Sequence, residues 1–146
     1  MTANDAADTS IVTESEGETE AFAAAFAASL RAGDVVLLRG GLGAGKTCFV
    51  RGLARGLDVA PDAVSSPTFT ILQEYAGRLP LFHADLYRLA GQEVDDLGLE
   101  ELSARGVLAI EWAERLPRPI PRATTVVMDD AGDTARRITI RRPGSG

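Results

Sequence analysis

The densest chemistry in the chain lies in eight consecutive residues: Gly40, Gly41, Leu42, Gly43, Ala44, Gly45, Lys46 and Thr47. They spell G-x-x-x-x-G-K-T directly after the apolar run Val35, Val36, Leu37, Leu38. A strand feeding a glycine-rich turn that opens a helix is the setting in which this pattern binds a triphosphate, as a P-loop. The glycines let backbone N–H groups approach phosphate oxygens, and the helix N-terminus adds positive potential. Gly40, Leu42, Gly43, Ala44 and Gly45 are therefore candidates for the phosphate cradle. Lys46 supplies a point charge for the β- and γ-phosphates, and the Thr47 hydroxyl a ligand for Mg²⁺. Lys46 is also the only lysine, the other 14 of the 15 basic residues being arginine. A compact ammonium stands where a guanidinium fork would not fit.

Such a loop needs an acidic group at the end of a neighbouring strand to hold or orient the metal and its waters. Asp85 follows Leu79, Pro80, Leu81, Phe82, His83 and Ala84; Glu111 follows Val107, Leu108, Ala109 and Ile110, the cleaner apolar strand. An exposed strand-end carboxylate is the plainer reading of either. Thr68, in Ser66-Pro67-Thr68 after the P-loop helix, stands where a switch hydroxyl would sense the γ-phosphate. Ordinary turn chemistry accounts for those three residues equally well. His83, the only histidine, is either a proton shuttle or a packed strand residue. Trp112 either stacks on a base or partner or fills core, and Arg88 either meets a phosphate or partner or makes a surface ion pair. Cys48, the only cysteine, reads as a small packing residue beside the loop, where some reactivity is conceivable. The Asn-Lys-x-Asp segment that reads guanine is missing, because the one asparagine is Asn4. That favours ATP over GTP.

The elements that must position these groups follow from periodicity and turn residues. Ile11 and Val12 read as a short edge strand after a polar tail, residues 1–10. The acidic stretch 13–20 leads into an alanine-rich helix ending near Gly33, with Phe22, Phe26 and Leu30 four apart on one inward face. Its glutamates suit a helix N-terminus. A buried strand over 35–39 precedes the loop. The helix from Thr47 turns Phe49, Val50, Leu53 and Leu57 inward, is weakened by Gly52 and Gly56, and ends across 58–61. Residues 69–75 and 79–84 predict two strands joined at 76–78, and 91–105 one or two short helices. Residues 107–110 predict a buried strand, 116–121 a proline loop, and 124–128 with 137–141 a closing hairpin across 129–134.

Composition sets the bounds. With 146 residues, one domain over 11–141 is expected, large enough for its own core, with a tail at 142–146. A single cysteine excludes an internal disulfide and suits a reducing compartment. The net charge of −6 argues against unaided nucleic-acid binding. The N-terminus has no signal-peptide pattern, and no apolar run reaches the roughly 20 residues of a membrane span. A cytoplasmic protein is expected.

In order, GGLGAGKT (40–47), SSPTFT (65–70), HADLYRL (83–89) and IEW (110–112) resemble the TsaE (YjeE) family of small bacterial ATPases of tRNA threonylcarbamoyladenosine synthesis. The resemblance runs from Thr13 to Arg141. Together with the elements above, it implies an α/β, P-loop NTPase-like three-layer sandwich with a mixed, mostly parallel central sheet and added antiparallel strands. It implies Mg²⁺-dependent ATP hydrolysis coupled to the TsaB and TsaD subunits. That complex places a threonylcarbamoyl group on adenosine 37 of tRNAs reading codons that begin with A, the chemistry lying in TsaD. tRNA would then be met only through the complex, and the chain alone would be monomeric. By position, Lys46 and the loop amides hold phosphates, Thr47 and Glu111 ligate Mg²⁺, Asp85 serves hydrolysis and Thr68 the switch. Glu16 and Gly132 correspond to stretches lying beside the nucleotide. The chain departs from the family at Gly41, often Asp there, and at Cys48, often a hydroxyl residue. Two rival functions share the loop: a free-standing small-molecule kinase, and a nucleotide-sensing adaptor that does not hydrolyse.

Overall fold

The computed structural model describes residues 9–40, 45–60, 71–120 and 122–143. Thr68 and loop residues Gly41, Leu42, Gly43 and Ala44 lie outside them, as do 1–8 and 144–146 of the expected tails. In chain order the elements are β1 (Thr9–Thr13), α1 (Glu16–Ala27), β2 (Val35–Arg39), α2 (Lys46–Gly56), β3 (Leu72–Tyr75) and β4 (Leu81–Asp85). They continue with α3 (Gln92–Asp95), α4 (Leu99–Arg105), β5 (Val107–Glu111), a 3-10 turn (Ala113–Arg115), β6 (Thr124–Gly132) and β7 (Ala135–Arg141).

Seven strands form one sheet in the order β1-β7-β6-β2-β5-β4-β3. The central four, β6, β2, β5 and β4, are mutually parallel, and antiparallel partners extend the sheet on both sides. Continuous apolar runs in β2 and β5 mark strands covered on both faces. Val35 to Leu38 and all of β5 are indeed buried. Pleating sends alternate side chains to opposite faces. Val36, Leu38, Leu81, Val107, Ala109, Met128 and Ile138 join a core with Phe26 of α1 and Phe49, Val50 and Leu53 of α2. Val35, Leu37, Phe82, Ala84, Leu108 and Ile110 meet Val94 and Leu99 on the other side. Helices on both faces make three layers, as expected.

Several boundaries differ from expectation; β3 and β4, for instance, run Leu72–Tyr75 and Leu81–Asp85 rather than over 69–75 and 79–84. β1 begins at Thr9, pairing with Ile140, so the last two residues of the expected tail belong to the sheet. α1 stops at Ala27, and bonds from the Ser29 and Leu30 amides to Phe26 and Ala27 carbonyls tighten the chain into a final turn. Leu30 nevertheless stays in the core. The closing hairpin is longer than expected, because β6 and β7 pair up to Gly132 and Ala135 around a two-residue turn, Asp133 and Thr134.

Gly52 and Gly56 lower the helix propensity of α2, and the structure shows why glycine stands there. A Cβ on Gly52 would lie 2.4 Å from both the Glu20 carbonyl oxygen and the Ala23 Cβ, and one on Gly56 2.4 Å from the Ala24 carbonyl oxygen. The two glycines let α2 press against the alanine face of α1, which fixes α1's first turn beside the start of α2. Helix propensity alone predicts that Gly52→Ala stabilises by about 1 kcal/mol. The contact predicts the opposite sign, a loss on the order of 1–3 kcal/mol from overpacking against backbone. A urea denaturation midpoint below that of the parent protein is the expected reading.

Candidate functional site

The site is assembled at the C-terminal ends of the parallel strands, where open α/β sheets place their ligands. β2 runs out at Arg39, and α2 begins at Lys46 with Gly45 as N-cap in a left-handed conformation, φ 96°. From this position Lys46 turns back toward the sheet. Its side chain is 8 % exposed, and Nζ donates to the Gly40 carbonyl at 2.9 Å. It also sits 3.9 Å from Glu111 Oε1 and 4.8 Å from the centre of the Trp112 ring. An ammonium has three donors and is costly to bury unpaired. Among the described residues it is given one close hydrogen bond, one long ion pair and a π-face. That is a cation placed to receive further acceptors.

Asp85 and Glu111 end adjacent parallel strands and stand opposite each other in the register. Both expected acids therefore share the face of the sheet that α2 covers. They differ in surroundings. Asp85 is half-buried, and its Oδ1 accepts from the Tyr87 amide at 3.0 Å. Glu111 is buried, and its Oε2 accepts from His83 Nε2 at 2.7 Å. Its carbonyl takes the Leu86 amide at 3.1 Å, tying the two strand ends together.

A cavity of about 330 Å³ joins these groups. Gly45, Lys46, Thr47, Cys48 and Arg51 come from the start of α2, Glu16 and Thr19 from α1, and Asp85, Glu111 and Trp112 from the sheet end. Thr134 and Arg136 close it from the β6–β7 hairpin. Eight residues singled out from sequence thus meet: Glu16, Gly45, Lys46, Thr47, Cys48, Asp85, Glu111 and Trp112. Gly40 contributes its carbonyl to Lys46 without lining the cavity. Gly132, φ 120°, is exposed in the hairpin turn, and its near neighbour Thr134 faces the cavity instead. The Thr134 hydroxyl donates to the Glu14 carbonyl at 2.8 Å and so pins the turn to the start of α1. A larger cavity, about 470 Å³, lies at the opposite end of the strands, lined by Val35, Leu108 and the proline loop. It gathers none of the expected site residues.

Sequence reasoning missed Thr19, Arg51, Thr134 and Arg136. Arg51 was within reach, since it stands four residues after Thr47 and so on the same helix face. The others depend on the α1–α2 contact and the hairpin register, which no local spacing reports. Trp112, weighed both as a stacking residue and as core, is partly buried, lines the cavity and holds φ 61°, an uncommon conformation for a bulky residue. The Tyr87 ring packs on it with centroids 4.8 Å apart.

No group of three or more His, Cys, Asp or Glu among the described residues is arranged to hold a metal by itself. The Thr47 hydroxyl and the Asp85 and Glu111 carboxylates are hard oxygen donors around one cavity. This set fits magnesium, which takes one or two protein ligands and completes its shell with phosphate and water. No helix among the described residues is long and apolar enough to cross a membrane.

Comparison with known proteins follows the same lines. The family model for the threonylcarbamoyl adenosine biosynthesis protein TsaE matches residues 13–138. The TsaE protein of Bacillus subtilis is 45% identical over 131 residues, covering 88% of this chain and 82% of that one. The TsaE protein of Treponema pallidum is 46% identical over 114 residues, covering 76% and 84%. The crystal structure of Bacillus subtilis YdiB superposes with a TM-score of 0.75 at 37% identity, over 94% of this chain and 86% of that one.

Cys48 offers a check on the cavity. Burial, then the charges of Glu16 and Glu20, push its thiol above the ordinary value of 9.0, and its Sγ–H donates to the Glu16 carbonyl at 3.1 Å. Raising the thiol's pKa lowers the thiolate fraction at any given pH, and the thiolate is the nucleophile. Iodoacetamide should therefore modify Cys48 more slowly than a free cysteine at pH 8, with the rate still rising above pH 9. Mass spectrometry of the alkylated protein reads the rate.

Proposed function

The chain belongs to the TsaE family, and from that premise we propose that it serves tRNA threonylcarbamoyladenosine biosynthesis as a magnesium-dependent ATPase subunit. The single observation that carries the hydrolytic part is the buried Lys46 ammonium, held above two strand-end carboxylates at the mouth of a helix. In this reading Lys46 pairs with β- and γ-phosphate oxygens, and amides of the loop and the N-terminus of α2 bind the remainder. Thr47 and Glu111 hold the metal, with Asp85 serving the attacking water. Magnesium held by these residues would supply positive charge against the negative charge of the phosphates. The water oxygen bonds to the γ-phosphorus as the bond to the ADP oxygen breaks, leaving ADP, inorganic phosphate and a proton. Glu16, Thr19, Cys48 and Thr134, which line the same cavity, would border ribose and base. Thr68 is proposed as the switch hydroxyl.

TsaB and TsaD are the proposed partners, with hydrolysis resetting the complex between rounds of modification at adenosine 37. The acidic chain meets tRNA only through them, in keeping with its net charge of −6. A P-loop protein whose site is completed by a partner turns over slowly alone.

Steady-state ATP turnover, with and without TsaB, TsaD and tRNA, tests the reading. Lys46→Ala should lose nucleotide binding. Glu111→Gln should bind ATP within about threefold of the parent protein while kcat falls on the order of 100-fold, because the lost charge acts mainly in the transition state. Full modification activity with Glu111→Gln would instead favour the non-hydrolysing adaptor. Transfer of labelled phosphate to a metabolite, without partners, would favour the kinase.

A further inference from the structure

Glu111 carries a different charged or polar side chain on each of its carboxylate oxygens. Oε2 receives His83 Nε2 at 2.7 Å, and Oε1 faces Lys46 Nζ at 3.9 Å. We propose that His83 is the positioning residue for Glu111, fixing its carboxylate and holding it from closing onto Lys46. The proposal rests on the hydrolytic reading above and assigns the histidine a part in it.

The strand register sets up the contact. Glu111 stands opposite Asp85, and His83 lies two residues earlier on β4, hence on the same face of the sheet. The Glu111 side chain reaches back to that histidine, while the Asp85 carboxylate takes the Tyr87 amide. Two like charges at directly opposed strand ends are thus each engaged by a different donor, which limits the repulsion such a pair would suffer. A carboxylate only accepts hydrogen bonds, so the imidazole carries its proton on Nε2. Both side chains are 11% exposed, so water competes little for the bond.

The consequence appears at Lys46. An unrestrained ammonium and carboxylate in a poorly hydrated site close to about 2.7–2.9 Å. Here the separation is 3.9 Å. Full closure would neutralise the cation that a phosphate needs and take up the acid that the metal or water needs. The bond to Oε2 opposes that collapse and leaves Oε1 directed at the mouth of the cavity. Packing alone does not require a histidine, since its neighbours in the same layer, Leu81 and Ala109, are apolar.

The test compares His83→Leu, which removes the donor, with His83→Gln, whose amide donates from a similar reach. Trp112, the only tryptophan, lines the cavity and reports ADP binding by its emission. His83→Leu should lower kcat by about 10- to 100-fold, the usual effect of losing a group that orients a ligand. ADP affinity in EDTA should stay within about threefold, because the histidine acts on the carboxylate and not on the nucleotide. The gain in ADP affinity on adding Mg²⁺ should shrink in His83→Leu, and His83→Gln should restore both kcat and that gain. Unchanged kcat and Mg²⁺ response in His83→Leu, or no rescue by Gln in a protein that melts normally, overturns the proposal. If the parent protein shows no turnover even with TsaB, TsaD and tRNA, the hydrolytic reading falls by itself, and the Mg²⁺ response decides the role of His83. Should His83→Leu fail to fold, the parent protein still gives an answer, since its one histidine yields one set of imidazole NMR signals. A proton on Nε2 that shifts in Glu111→Gln supports the proposal; a proton on Nδ1 alone contradicts it.

Discussion

A single buried ammonium organises the structure. Placing a lysine amine at the end of a covered strand removes it from water at a cost of several kcal/mol unless acceptors replace the lost hydration. Among the described residues three groups meet it: the Gly40 carbonyl, the distant edge of Glu111 and the face of Trp112. They come from the ends of β2 and β5, and the lysine from α2, so the charge is met only when these three elements are correctly aligned. This is the cation that the proposed reading assigns to phosphate.

Much of the surrounding architecture serves that alignment. Gly52 and Gly56 sacrifice helix propensity so that α2 can lie against Ala23 and Ala24, which brings Glu16 and Thr19 to the cavity wall. Trp112 holds a left-handed backbone conformation that commonly costs about 1–3 kcal/mol for a non-glycine residue. In return its ring stands over the Lys46 amine and under Tyr87. Strain of this kind persists where neighbours over-determine a conformation, and here both neighbours are residues of the site or its rim.

What was legible in the sequence was whatever a short spacing encodes. The run 35–38 gave away a covered strand, and G-x-x-x-x-G-K-T the helix that begins at Lys46. Asp85 and Glu111 were readable because each ends an apolar strand, although nothing local indicated that the two are register partners. The proline loop, the two short helices and the closing hairpin were likewise visible in turn residues. Thr134 and Arg136 were not, because they reach the cavity through the pairing of β7 with β1 and β6, a long-range register. Gly52 and Gly56 read as weaknesses of α2 until their neighbours on α1 were known. His83 was the most ambiguous, since its partner is 28 residues away and only the parallel pairing of β4 with β5 brings them together.

The central claim is that Lys46 is the phosphate-binding cation, and the chain's composition makes it directly observable. As the only lysine, it gives a single side-chain signal when the protein carries isotopically labelled lysine. Titration with ATP or ADP in the presence of Mg²⁺ should move that signal, with the same midpoint as the change in Trp112 emission. Saturation of the Trp112 response with the Lys46 signal unmoved would contradict the account.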